Sequence, residues 1–293
     1  VHDEQLLADQ FEAHRTHLRA VAYRMLGSLA DADDAVQEAW LRLARTDTTD
    51  VGNLGGWLTT VVGRVCLDML RTRKSRGEEP LEVEHLPDPV ITSATTPDPE
   101  NEALLADSVG LALLVVLESL SPAERLAFVL HDMFAMPYEQ IAPIVDRTPQ
   151  TAKKLASQAR RRVQGVTPDS TSDLAGQRRV VDAFLAAARG GDFEELLRML
   201  DPDVVLRADA GAAMRVIRGA AAVAGQAETF QRMATRCTVH HAVVNGGPGL
   251  VNTVDGNPFS IIGFTVTEGR IAAIDILSDR DRLTRLDLAA VLG

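Results

Sequence analysis

The chain has 293 residues, with 30 Lys and Arg against 41 Asp and Glu, a net charge of −11 and 46 % hydrophobic residues. This length suits two or three globular domains, and the balance of apolar and charged residues excludes a disordered or fibrous chain. No apolar run approaches the roughly eighteen residues of a membrane span, the N-terminus VHDEQLLADQ lacks signal-peptide chemistry, and Cys66 and Cys237 stand apart without metal-ligand spacing. The expectation is a cytoplasmic protein with no membrane association, no disulfide, no metal and no cofactor.

Residues 1–76 read as an all-α unit. Leu6, Leu7, Phe11, Leu18, Val21, Ala22, Met25 and Leu26 recur at helical spacing, and a second helix starting near Asp31 buries Val36, Ala39, Trp40 and Leu43. After the Gly-rich stretch 46–56, Leu58, Val61, Val62, Val65 and Met69 form one apolar stripe. Thr60, Arg64, Arg71, Arg73, Lys74 and Arg76 occupy the opposite side and the end, which makes this helix basic.

Residues 77–108 carry nine acidic residues, five prolines and no Lys or Arg, a composition that predicts an extended, poorly packed linker. Residues 109–165 form a second helical unit. Ser121-Pro122-Ala123-Glu124 is a capping box with Pro at the first helical position. Ile141, Ala142 and Val145 then form a short apolar segment broken at Asp146-Arg147, after which Thr148 caps a helix with Ala152, Leu155, Ala156 and Ala159 buried. From Arg147 to Arg162 there are six basic residues and no acidic one, against the charge of the whole chain. A short helix, a turn and a basic helix form a helix-turn-helix with a DNA-reading face.

A Gly, Pro, Ser and Thr-rich junction at 165–173 precedes a third unit, 174–293, with 14 acidic and 13 basic residues, about −1 by difference. A helix at 176–189 and a second one capped by Asp192 with Glu195 come first. Strand-like runs follow in DVVLRAD, AMRVIRG, TVHHAVVN, LVNTV, PFSIIGFTV and RIAAIDIL. Two helices against a curved antiparallel sheet make an α+β cone. His240 and His241 face opposite sides by strand alternation, and Asp209, Asn252 and Asp275 are possible cavity groups.

The first 165 residues resemble the extracytoplasmic-function (ECF) sigma factors of bacterial RNA polymerase, in the segments DADDAVQEAWLRL (31–43), GWLTTVVGRVCLDMLRTRKS (56–75) and LSPAERLAFVLHDMFAMPYEQIAPIVDRTPQTAKKLASQARRRV (120–163). Asp146 departs from the Gly frequent at that turn, but Asp tolerates left-handed geometry. The resemblance implies that 1–76 is region 2 and 109–165 is region 4, the latter meeting the polymerase β flap. It places Asp34, Gln37 and Glu38 at the β′ clamp helices. Asn53, Trp57, Thr60, Arg64, Arg71, Arg73 and Lys74 fall at the −10 element, and Arg147, Lys153, Lys154, Ser157, Arg160 and Arg161 at the −35 element.

The third unit, from VVDAFLAAARGGDFEELLRMLDPDVVL, resembles a SnoaL-like domain, which identifies the J-type branch of these factors. HLPDPV (85–90) resembles the branch's linker motif, with Leu86, Pro87, Asp88 and Pro89. Asp209 opens Asp209-Ala210-Gly211-Ala212-Ala213, a weakened Asp-Gly-Gly-Gly element, and Asp281, Arg282 and Leu283 close an element like Asn-Pro-Asp-Lys-Leu. The resemblance implies that these are interdomain regulatory residues, that no dedicated anti-sigma factor is needed, and that the chain is not an enzyme. The alternative is a helix-turn-helix regulator fused to a small-ligand-binding or cyclase-like enzyme domain.

Overall fold

The computed structural model describes residues 2–46, 51–75, 85–94, 110–163, 174–212 and 214–293. They divide into two compact units. One contains 2–75 and 114–163; the other contains 85–94, 110–113 and 174–293.

In the first unit, α1 (His2–Leu26), α2 (Leu29–Leu43) and α3 (Leu54–Ser75) bury the stripes that periodicity selects, including Phe11, Leu18, Met25, Val36, Leu43, Leu58 and Val62. Ser28 starts α2 by accepting from Asp31 N at 3.3 Å. Cys66 is buried in α3, where desolvation pushes its thiol up to about 12.

The chain crosses from the second unit to the first within α4 (Leu111–Glu118). α5 (Pro122–Phe128) opens with the expected capping box: Glu124 N donates to Ser121 Oγ at 3.4 Å and Ser121 N donates to Glu124 Oε2 at 3.1 Å. A π-helical turn, Val129–Met133, extends it. α6 (Tyr138–Ile141) and α7 (Pro149–Val163) follow, separated by a turn in which Asp146 adopts φ 55, the left-handed geometry anticipated for it. Thr148 caps α7 through Thr151 N at 3.3 Å.

These helices pack on α1 and α3. Gly63 of α3 lies at this contact, where a Cβ would stand in ordinary van der Waals contact with Leu130 at 3.5 Å and Leu126 at 3.6 Å. The buried Arg125 guanidinium donates to Met25 O at 2.8 Å, covering a carbonyl left open at the end of α1. Arg24 lies over the Phe134 ring at 4.9 Å, and His17 meets that ring edge-on at 5.0 Å.

The second unit is α+β. α8 (Leu174–Gly190), α9 (Phe193–Met199), α10 (Ala220–Ala224) and α11 (Ala227–Arg236) pack on one face of a sheet. Asp192 caps α9 through Glu195 N at 3.0 Å, as the sequence requires. The strands are β1 (Ile91–Ser93), β2 (Leu200–Asp209), β3 (Met214–Arg218), β4 (Thr238–Val244), β5 (Gly247–Val254), β6 (Asn257–Thr267) and β7 (Arg270–Leu277). Their order is β1-β4-β5-β6-β7-β2-β3. Two short helices, α12 (Arg280–Leu283) and α13 (Ala289–Leu292), end the chain.

Three expectations need correction. The sheet is mixed rather than antiparallel, because β2 pairs in parallel with β7. More than two helices cover it, since α10 and α11 follow β3. The stretch 85–94, expected to belong to a poorly packed linker, instead buries Leu86, Pro87, Pro89, Val90 and Ile91 and adds β1 to the edge strand β4, with Ile91 opposite Val244 and Ser93 opposite Ala242. Strand addition satisfies backbone groups that acidic and Pro-rich composition suggested water would satisfy. The rest of 77–108 lies outside the described residues.

Candidate nucleic-acid interface and linker clasp

α7 directs Ala152, Ala156, Ala159 and Val163 inward, which leaves Lys153, Lys154 and Arg161 exposed on the far side. Arg147, in the preceding turn, is also exposed and donates to Asp146 O at 2.8 Å. These groups can hold a polyanion. Two other residues of the expected set are already engaged. Ser157 Oγ donates to Lys153 O at 2.8 Å. Arg160 binds Asp132 through Nε at 2.8 Å and Nη2 at 2.6 Å, and the hydrogen bonds to Asp132 and then Tyr138 raise its pKa further.

On α3, Asn53 is an N-cap, accepting from Gly56 N at 3.0 Å, and Thr60 donates to Gly56 O at 2.9 Å. Trp57 is half-buried, Arg64 and Arg71 are exposed, and Arg71 stands 3.9 Å from Asp68. Arg73 instead reaches Asp31 of α2 at 2.5 Å. Lys74 belongs to α3, and Arg76 lies outside the described residues. Arg64 and Arg71 share a polar cleft of about 180 Å³ with Pro143, Ile144 and Asp146, so the helix-turn-helix turn stands beside the basic face of α3.

The three α2 residues divide between two grooves, as 34 and 38 share a helix face that 37 leaves. Asp34 and Glu38 line a cleft of about 490 Å³ with Asp68, Met69 and Arg73, and Glu38 pairs with Arg42 at 2.9 Å. Gln37 lines a groove of about 340 Å³ with Phe11, Arg15 and Trp40. Between them is a residue that sequence reading missed: Leu41 is 41 % exposed, three positions after Glu38 and four after Gln37. Its signal is the break in pattern, a Leu outside the buried stripe.

The second unit gathers residues far apart in sequence. Asp209, fully buried at the end of β2, accepts at Oδ2 from Leu86 N at 2.8 Å and Arg282 Nη1 at 2.8 Å, and at Oδ1 from Gly211 N at 3.0 Å. Arg282 Nη2 also donates to Leu86 O at 2.6 Å and Asp88 Oδ1 at 2.8 Å. Asp279 positions Arg282 by capping α12, accepting from Asp281 N and Arg282 N at 2.9 and 3.2 Å. Gly211 is required here, since it has φ 92 and a Cβ would come within 2.5 Å of Asp279 Oδ2. Further along, Val90 N donates to Asn245 Oδ1 at 3.1 Å and Asn245 N donates to Val90 O at 2.9 Å. Leu86, Asp88, Asp209 and Arg282 therefore meet directly, with Pro87, Pro89 and Leu283 buried. Asp281 is exposed and sends no side-chain bond into the cluster among the described residues.

The polar strand residues do not form an acid/base pair. His240 contacts Thr253 at 3.2 Å and His241 stands 3.8 Å from Asp182. Asp275 pairs with Arg207 on the sheet face opposite the cavity; burial raises its pKa, and the Arg207 charge opposes that. Asn252 lines a cavity.

Comparison with known proteins follows the same divisions. Residues 10–76 match the family described as Sigma-70 region 2, 110–163 match Sigma-70, region 4, and 181–281 match the SnoaL-like domain. The chain is 36 % identical over 291 residues to the ECF RNA polymerase sigma factor SigJ of Mycobacterium tuberculosis, covering 94 % of this chain and 92 % of that protein. It is 35 % identical over 270 residues to the probable ECF RNA polymerase sigma factor SigI of the same species, covering 91 % of each. The crystal structure of Mycobacterium tuberculosis SigJ is similar with a TM-score of 0.75 at 34 % identity, covering 96 % of this chain and 99 % of that one.

Proposed function

The chain belongs to the extracytoplasmic-function sigma factors of RNA polymerase, and we propose that its C-terminal SnoaL-like domain governs promoter-directed initiation in cis by holding the segment between its two sigma regions. The observation that carries this reading is the Arg282 fork, which ties Leu86 and Asp88 of the linker to buried Asp209. Release of residues 85–94 frees a stretch that spans at most about 33–36 Å when fully extended, which widens the reach between regions 2 and 4. Reach sets the effective concentration of one DNA-binding surface for its half of a promoter once the other is bound.

In this reading Lys153, Lys154, Arg161 and Arg147 approach the −35 element, with Ser157 at the edge of that surface, while Arg160 braces region 4 through Asp132. Arg64 and Arg71 hold −10 backbone phosphates, after the turn around Pro143 and Asp146 withdraws from them. Lys74 continues that cationic line, Arg73 orders α3 against α2, and Asn53 and Thr60 shape the start of α3 where Trp57 stacks on an extruded base. Extruding a base costs a few kcal/mol, which a stacking surface and backbone cations offset without ATP.

Asp34, Gln37 and Glu38, together with Leu41, contact the clamp helices of core polymerase, an apolar anchor ringed by polar groups. The β flap receives region 4. Because the C-terminal domain is part of the chain, no separate anti-sigma protein is needed, and the working compartment is the cytoplasm. Co-purification with core polymerase, followed by run-off transcription of full-length and Arg282→Ala protein, tests the reading. Equal initiation by both proteins contradicts control through the linker, and absence of core association contradicts the polymerase role.

A further inference from the structure

Between α8, α11 and the sheet of the second unit lies a cavity of about 60 Å³ walled by Phe184, Phe230, Ile262, Ile274 and Ile276. Two polar side chains belong to this lining, exposed Arg189 at its edge and Asn252 within it. Asn252 is 5 % exposed; its Nδ2 donates to Ser260 Oγ at 3.0 Å, while its Oδ1 has no hydrogen-bond partner. A buried amide oxygen without a partner is costly and uncommon, and here it lies in the wall of a space large enough to hold atoms. Water answers it poorly, because an ordered water needs two to four polar partners and, apart from exposed Arg189, the other wall residues are apolar.

We infer that this cavity binds a small, mainly hydrocarbon molecule carrying one hydroxyl, the hydroxyl meeting Asn252 and the chain lying between the phenylalanines and isoleucines. A hydroxyl fits better than a carbonyl or an amine for a specific reason. Ser260 Oγ both donates and accepts, so the Asn252 amide can present either its oxygen or its nitrogen to the cavity, and a hydroxyl satisfies either. Half-buried Met233 and Phe230 flank the outer side, with exposed Arg189 at the mouth. Met is the side chain most able to move aside for a longer chain, so the enclosed volume is a lower bound on what enters. Binding stands apart from the proposed linker control. A regulatory effect of occupancy rests on that control, because Ile274 and Ile276 of the wall lie on β7, whose end at Leu277 is in register with Asp209.

The test uses the full chain with methyl-labelled isoleucines, titrated with 1-hexanol and, separately, with 1-chlorohexane, a similar chain without the hydroxyl. The expected result is saturable shifts of the Ile262, Ile274 and Ile276 methyls, with 1-hexanol bound several-fold more tightly. Asn252→Leu abolishes that preference while still binding 1-chlorohexane, and Met233→Trp, placed at the half-buried rim, weakens both. Arg282→Ala keeps saturable binding and the preference for 1-hexanol, so a failed linker control and a failed ligand site give different results. Absence of saturable shifts at these methyls overturns the inference, as does an Asn252→Leu protein that keeps the preference for 1-hexanol.

Discussion

Arg282 and Asp209 are 73 positions apart and bond at 2.8 Å, with the carboxylate fully buried and the guanidinium turned so that its other nitrogen grips Leu86 O and Asp88. The pair thus closes on the linker rather than only on itself. Each partner fixes the other: without Arg282, buried Asp209 keeps the Leu86 and Gly211 amides and, at 3.4 Å, the His85 imidazole, but no guanidinium.

Arg282→Ala is expected to remove about 3 kcal/mol from this cluster, since truncating one partner strands a buried charge. Hydrogen exchange at the Leu86 and Val90 amides, which donate to Asp209 and Asn245, is expected to speed up while the amides of α7 are unchanged. Arg282→Lys restores little, because an ammonium cannot fork between a carboxylate and a carbonyl. Unchanged exchange at Leu86 in the alanine variant removes the clasp from the account.

On α7 the structure separates two kinds of basic residue. Lys153→Ala and Lys154→Ala are each expected to weaken binding to promoter DNA and to lower the salt dependence of that binding by about one phosphate contact. Their unfolding midpoints are expected to stay near the parent value. Arg160→Ala is expected to lower the thermal midpoint instead, having lost its bonds to Asp132. Fluorescence anisotropy at several salt concentrations, with calorimetry on the same proteins, distinguishes the two. Equal behaviour of Lys154→Ala and Arg160→Ala in both measurements contradicts the assignment.

Leu41→Ala is expected to weaken association with core polymerase by about 1–2 kcal/mol, the usual scale for an apolar anchor at an interface. Fold stability is expected to change by less than about 0.5 kcal/mol, because the side chain is 41 % exposed. Binding of labelled protein to core polymerase checks this. A variant with parental affinity excludes Leu41 from the interface.

His17 makes the packing of α1 against Phe134 sensitive to acid. Desolvation, then the charges of His14 and Arg24, hold its imidazole below the ordinary 6.5. The unfolded chain therefore takes the proton more readily, so this contribution is complete above about pH 6.5 and is lost as pH falls through the folded-state value. Between pH 7.5 and 5.5 the parent is expected to lose more thermal stability than His17→Gln. Equal losses remove His17 as the cause.

The parts of the fold legible in the sequence are those set by local chemistry. The Ser121 to Glu124 capping box, the Thr148 and Asp192 caps, the left-handed Asp146 and the core strands all follow from spacing over a few residues. What escaped depends on partners distant in the chain. Nothing near Arg160 announces Asp132, 28 positions earlier, and nothing in a Pro-rich acidic stretch announces that Ile91 will pair with Val244. Leu41 escaped for a different reason: an exposed Leu is common, and only its place beside Glu38 and Gln37 gives it meaning. Family resemblance supplied the names of Leu86, Asp88, Asp209 and Arg282, while their meeting around one carboxylate is visible only in three dimensions.

The most direct measurement is start-site mapping in a reconstituted reaction of core polymerase, this protein and a pool of promoter fragments, run in parallel with Arg282→Ala. The account predicts discrete starts that core polymerase alone does not give, with their yield altered when the clasp is cut. No starts above core polymerase alone contradict the account outright, and identical yields from both proteins contradict its regulatory half.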